Sequence, residues 1–120
     1  MSSTLFTAKK SSFRELAGLL MADKAFHNSG KTFTGETWGY HALPQQGRMS
    51  GDEYRILADR NGFEPIEYVV RSYGTVIGYR WMGTWYVSGA KYSVTTSAHQ
   101  NKFATAVSTL GGSPTVRDQI

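Results

Sequence analysis

The sequence predicts an α+β fold: a single domain with an antiparallel sheet of four or five strands and about three helices packed mainly on one face. Three observations carry that expectation. A serine followed three residues later by glutamate or glutamine recurs as "SFRE" (Ser12–Glu15), "SGDE" (Ser50–Glu53) and "SAHQ" (Ser97–Gln100). In this capping box the two side chains satisfy orphan amides at a helix start. Each copy precedes apolar residues spaced by three and four, and between the copies hydrophobicity alternates with a period of two.

The first helix places Phe13, Leu16, Ala17 and Leu20 on one face and is expected to run to about Phe26, where "HNSG" offers Asn28 and Gly30 as a left-handed cap. "ETWGYHA" (residues 36–42) then alternates as a strand carrying Trp38, Tyr40 and Ala42 on one side. The second helix follows Ser50, with Tyr54, Leu57 and Ala58 as its stripe and Asn61–Gly62 as its end. "PIEYVVRSYG" sets Ile66, Tyr68 and Val70 against Val69, Arg71 and Tyr73, and "TVIGYRW" continues the sheet past a turn at Gly74, with Gly78 at a turn or bulge. "MGTW" makes a tight turn into "WYVS", and "GAKYSV" makes a short last strand. The third helix, capped by Ser97, buries Phe103, Ala106, Val107 and Leu110 and stops at Gly111–Gly112. Residues 1–10 and 113–120 are expected to be flexible tails of the 1–120 domain.

A chain of 120 residues has room for one core. Three Trp, seven Tyr and six Phe give that core an aromatic surplus. With no cysteine, disulfides, thiolate zinc sites and cysteine nucleophiles are excluded. The start of the chain lacks an apolar run of signal-peptide length, so a cytoplasmic protein without a membrane partner is expected.

Charge is unevenly placed. Residues 1–67 carry eight basic and eight acidic side chains, whereas 68–117 carry five basic ones and no acid, so the net +4 arises in the C-terminal part. There, aromatics interleave with cations in "VVRSYGTVIGYRWMGTWYVSGAKY", a composition suited to a binding surface. The candidate surface is Arg71, Tyr73, Arg80, Trp81, Trp85, Lys91 and Lys102.

Catalytic and metal chemistry find little support. His27, His41 and His99 lack metal-ligand spacing, so neither metal nor cofactor is expected. "GKTFTG" (Gly30–Gly35) lacks the upstream glycine of a phosphate loop and leads into a strand. The hydroxyls Thr95, Thr96 and Ser97 stand near His99, but no neighbouring acid orients the imidazole and no residue is assigned a catalytic role.

The segments "YVVRSYGTVIGYRW" and "WYVSGAKYSVTTSAHQ" resemble a family of small uncharacterised proteins of actinobacteria and their bacteriophages. Its pattern runs S-Y-x-T-x-I-A, then Y-S-x-T-T-S-x-H-Q. Here it matches Ser72, Tyr73, Thr75 and Ile77, then Tyr92, Ser93, Thr95, Thr96, Ser97, His99 and Gln100, with Gly78 where alanine is usual. "ADR" (Ala58–Arg60) and the stretch Ala42–Pro44 fit more loosely. The resemblance implies a phage or bacterial-host cytoplasm and transfers no mechanism. The corner formed by Tyr92, Thr95, Thr96, Ser97, His99 and Gln100 is read as a structural lock or an anion site.

The favoured reading is a small non-enzymatic accessory protein binding a host or phage protein through its aromatic, basic surface. A nucleic-acid-binding module using the same sheet is the alternative, and a small enzyme centred on His99 is the third. A homodimer also fits a chain of this size.

Overall fold

A computed structural model describes residues 3–5, 12–39, 42–88, 93–109 and 115–117. Its helices are α1 (Ser12–Met21), α2 (Gly51–Phe63) and α3 (Val94–Thr109). Its strands are β1 (Ser3–Leu5), β2 (Ala25–His27), β3 (Phe33–Thr37), β4 (Tyr68–Ser72), β5 (Thr75–Trp81), β6 (Thr84–Ser88) and β7 (Thr115–Arg117). They form one sheet in sequence order, antiparallel from β2 to β6. The fold is α+β, with a five-stranded antiparallel centre. A three-residue parallel strand flanks each edge, β1 on β2 and β7 on β6.

Parallel pairs need crossovers, which α1 and α3 supply. Both crossovers leave strands that run the same way and step in the same direction along the sheet. The right-handed rule for such connections therefore puts both helices on one face. They pack there against each other, Leu16 and Leu20 of α1 joining Phe103 and Val107 of α3 over Phe26, Phe33, Val70 and Ile77. The second helix, α2, covers the opposite face, where Met49 and Leu57 meet Ile66, Val69, Val76 and Tyr79. Each fully buried aliphatic or aromatic side chain here contributes roughly 1.5–3 kcal/mol.

Two tight turns match their sequences. Tyr73–Gly74 and Met82–Gly83 all have positive φ, the mirror-image geometry that suits the twist of a two-residue hairpin. Between them β5 carries a bulge opposite Val70–Arg71, next to Gly78. A methyl at Gly78 would run into the Phe103 ring and stand 2.7 Å from the Tyr86 carbonyl, so the glycine marks close packing of α3 on the sheet.

Several elements differ from expectation. The first helix stops at Met21 instead of near Phe26, because Asp23 adopts φ 55° and closes a Schellman motif. Lys24 N–H donates to Leu19 O and Asp23 N–H to Leu20 O. The freed residues form β2, whose turn into β3 is organised by Asn28, its Oδ1 accepting from the Thr32 and Phe33 amides. Consequently β3 ends at Thr37 rather than Ala42: Gly39 has φ 77°, and Trp38 folds over to donate to Ala42 O.

The second helix is capped as expected, Ser50 accepting from the Glu53 amide. It continues through Asn61–Gly62 to Phe63 because Asn61 is buried and accepts from the Ile66 amide, tying the helix end to the approach of β4. Ile66 precedes β4 and lies with Val69 rather than with Tyr68 and Val70. The expected last strand falls mostly on residues outside those described, and Ser93–Val94 instead begin α3.

Candidate functional site

The hydroxyl-rich corner forms where α3 begins against the end of β4. Ser93, not Ser97, is the cap: its Oγ accepts from the Thr96 amide, and its carbonyl accepts from the Ser97 amide. The third helix thus begins one turn earlier than "SAHQ" indicates. Thr96 faces inward, where its hydroxyl meets those of Ser93 at 3.2 Å and Ser72 at 3.1 Å. Ser72 Oγ also lies 2.7 Å from His99 Nδ1. The imidazole stacks on Phe33 at 4.6 Å between centroids and lies against Tyr73 at 6.0 Å. Burial foremost, and then the Lys102 ammonium, hold His99 below the usual imidazole range.

This is a chain of four polar side chains, Ser93–Thr96–Ser72–His99, closed off from solvent at its inner members. Ser72 is 1% exposed and His99 6%, so the serine and imidazole meet inside the protein. Thr95 is exposed and Ser97 half-buried on the outer side of the same turn. Gln100 uses its amide elsewhere, donating to Ser88 O beneath the helix. The Ser88 hydroxyl donates in turn to the buried carboxylate of Glu53, linking α2 to β6. Tyr92 and Lys91 lie outside the described residues.

The arginines of the candidate surface are engaged with acids. Arg71 pairs with Glu36 at 2.6 Å and lies over the Trp38 ring. Arg80 bridges Asp23 at 2.7 Å and Glu67 at 2.9 Å beside Trp85. Burial opposes the Arg80 charge, but those two bonds outweigh it and raise its pKa. Charges that sequence order kept apart are thus brought together.

The aromatics divide by face. Trp85 packs edge-on to Tyr68 and Phe103 on the α1–α3 side. Trp81 lies on the α2 side, its indole N–H shared between Arg60 O at 3.0 Å and Glu64 O at 2.9 Å. Phe63 at the end of α2 meets Trp81 edge-on, and Met82 follows it in the β5–β6 turn. Phe63 is 73% exposed and Met82 57%. Neither stood among the expected binding residues, since Phe63 follows an apparent helix stop and Met82 sits in a turn. Tyr73, at the opposite end of β4 and β5, is also exposed.

A separate cavity of about 360 Å³ lies over β2 and β3, with Ala25, His27, Lys31, Thr34 and Glu36 among its lining. Among the described residues no group of three or more His, Cys, Asp or Glu side chains could hold a metal ion. No helix among them is long and apolar enough to cross a membrane.

The fold and these clusters belong to a small α+β protein with buried polar networks and, at the β5–β6 turn, an exposed aromatic end. Over residues 3–116 the chain matches the Family of unknown function (DUF8033), and it belongs to that family. No curated protein and no solved structure matches it.

Proposed function

We propose that the chain is a non-enzymatic accessory protein that binds another protein through its exposed aromatic end. Phe63, Trp81 and Met82 form the contact surface. The observation that carries this reading is an exposed apolar cluster: Phe63 lies edge-on to an indole fixed by two hydrogen bonds, with exposed Met82 next to that indole in the chain. An aromatic anchor already held in place loses little entropy on docking, which favours it as a binding hot spot. The resemblance to actinobacterial and phage proteins supports a host or phage protein as the partner and the host cytoplasm as the setting. Membership of the family leaves the activity open, so the reading rests on this surface.

The Ser72–His99 contact is read as structural. Both groups are buried, and the cavity over β2 and β3 has other residues as its lining. A nucleic-acid module is the second reading, favoured by exposed Tyr73 at the end where Lys102 acts on His99. Against it, Arg71 and Arg80 are already neutralised by carboxylates and have little charge to offer phosphates.

Affinity capture from a host lysate with the tagged chain separates the two. A partner that survives nuclease and added salt, and is lost with Phe63→Ser/Met82→Ser, supports protein binding. Loss of every partner after nuclease overturns it.

A further inference from the structure

We infer that the partner of the Phe63–Trp81–Met82 end is a basic apolar segment: one or two large apolar side chains flanked by lysine or arginine. The inference rests on the protein-binding reading above and adds the chemistry of the occupant. It reverses the basic character expected of this surface from sequence order.

Local charge selects this occupant. The chain as a whole is +4, yet acids rim this end. Asp59 lies one helical turn before Phe63, and Glu64 directly follows it as the cap of α2. Both are exposed, and neither forms an ion pair among the described residues. Glu67 stands against the β5–β6 turn, its carboxylate accepting from the Gly83 amide beside Met82.

Two arginines reach this end, and both are engaged. Arg60 lies 4.1 Å over the Tyr86 ring and 5.6 Å from the centroid of the Trp81 ring, and donates to the Tyr79 hydroxyl at 2.7 Å, so it is committed to the aromatics of the α2 side. Arg80 is held between Asp23 and Glu67. An incoming segment therefore meets an apolar centre with two exposed carboxylates, Asp59 and Glu64, that form no ion pair among the described residues. Like-charge contact disfavours an acidic peptide, a phosphate backbone or an anionic bilayer, while lysine or arginine beside an apolar anchor satisfies both parts.

The test is a selection of a random short-peptide display library on the full chain. Binders should carry an aromatic or long aliphatic residue with Lys or Arg within a few positions, and Phe63→Ser/Met82→Ser should abolish binding. Both sites are solvent-exposed, so the variant should keep its fold, checked by circular dichroism. Asp59→Asn/Glu64→Gln should weaken the selected basic peptides roughly 5–10-fold at low salt, a difference that shrinks as salt rises. Neutral or acidic binders that still need Phe63 and Met82 would overturn the inference and leave the protein-binding reading standing. Binders indifferent to Phe63→Ser/Met82→Ser, or no binders at all, would count against both.

Discussion

Ser72 and His99 are 27 residues apart in sequence and 2.7 Å apart in the fold, so the contact between them is a tertiary one. Ser72 joins two partners, the Thr96 hydroxyl and the imidazole. Ser72→Ala strips a hydrogen bond from each in a buried setting and should cost roughly 1–3 kcal/mol in urea unfolding. If the two act as one unit, Ser72→Ala and His99→Gln should be non-additive by about 1 kcal/mol in a double-mutant cycle. Additive losses would show that the hydroxyl chain is not a unit. The imidazole also sets a pH dependence. Its folded pKa is depressed, with burial first and Lys102 second as causes. Above about pH 6.5, the unfolded-state value, both states hold it neutral and stability is complete. As pH falls below that, the unfolded ring takes up a proton that the folded ring resists. Stability then declines until the folded pKa is reached. His99→Gln should flatten this slope below about pH 6.5, and an unchanged slope would assign it to other groups.

At the scale of elements, Gly78 is the most exacting position. The Phe103 ring of α3 occupies the space a methyl there would take. Gly78→Ala should destabilise the chain by roughly 1–3 kcal/mol through overpacking, despite alanine's lower backbone entropy. Phe103→Leu added to Gly78→Ala should recover part of the loss, read as the urea midpoint. The elements also show what sequence reading reaches. The Ser50 cap, the Tyr73–Gly74 and Met82–Gly83 turns and the alternation through β4 to β6 were legible because each is fixed by neighbours in sequence. The end of α1 was not, because aspartate rather than glycine takes the left-handed position at Asp23. The end of α2 was missed because Asn61, a local stop signal, is recruited by the Ile66 amide. At the start of α3 two serines competed for one role, and Ser93 takes it while "SAHQ" continues as helix.

For the whole molecule, the parallel edge strands were beyond local signals, since each has three residues and gains its meaning only from its neighbour. Charge behaves the same way. Sequence order separates a neutral first part from a basic second part, but folding lays Glu36 on Arg71 and Asp23 with Glu67 on Arg80. What remains is an aromatic end edged by carboxylates and, opposite, a corner held by hydroxyls and His99. Only Trp81 of that aromatic end was anticipated, because Phe63 and Met82 follow no periodic pattern. Recognition is proposed for this end and structural support for the corner. Amide hydrogen exchange of the chain with and without its captured partner tests that division most directly. Protection is predicted at residues 62–67 and 80–84, with the amides of 93–99 unchanged. Protection confined to 93–99 and the Tyr73 turn, with 62–67 and 80–84 unaffected, would contradict it.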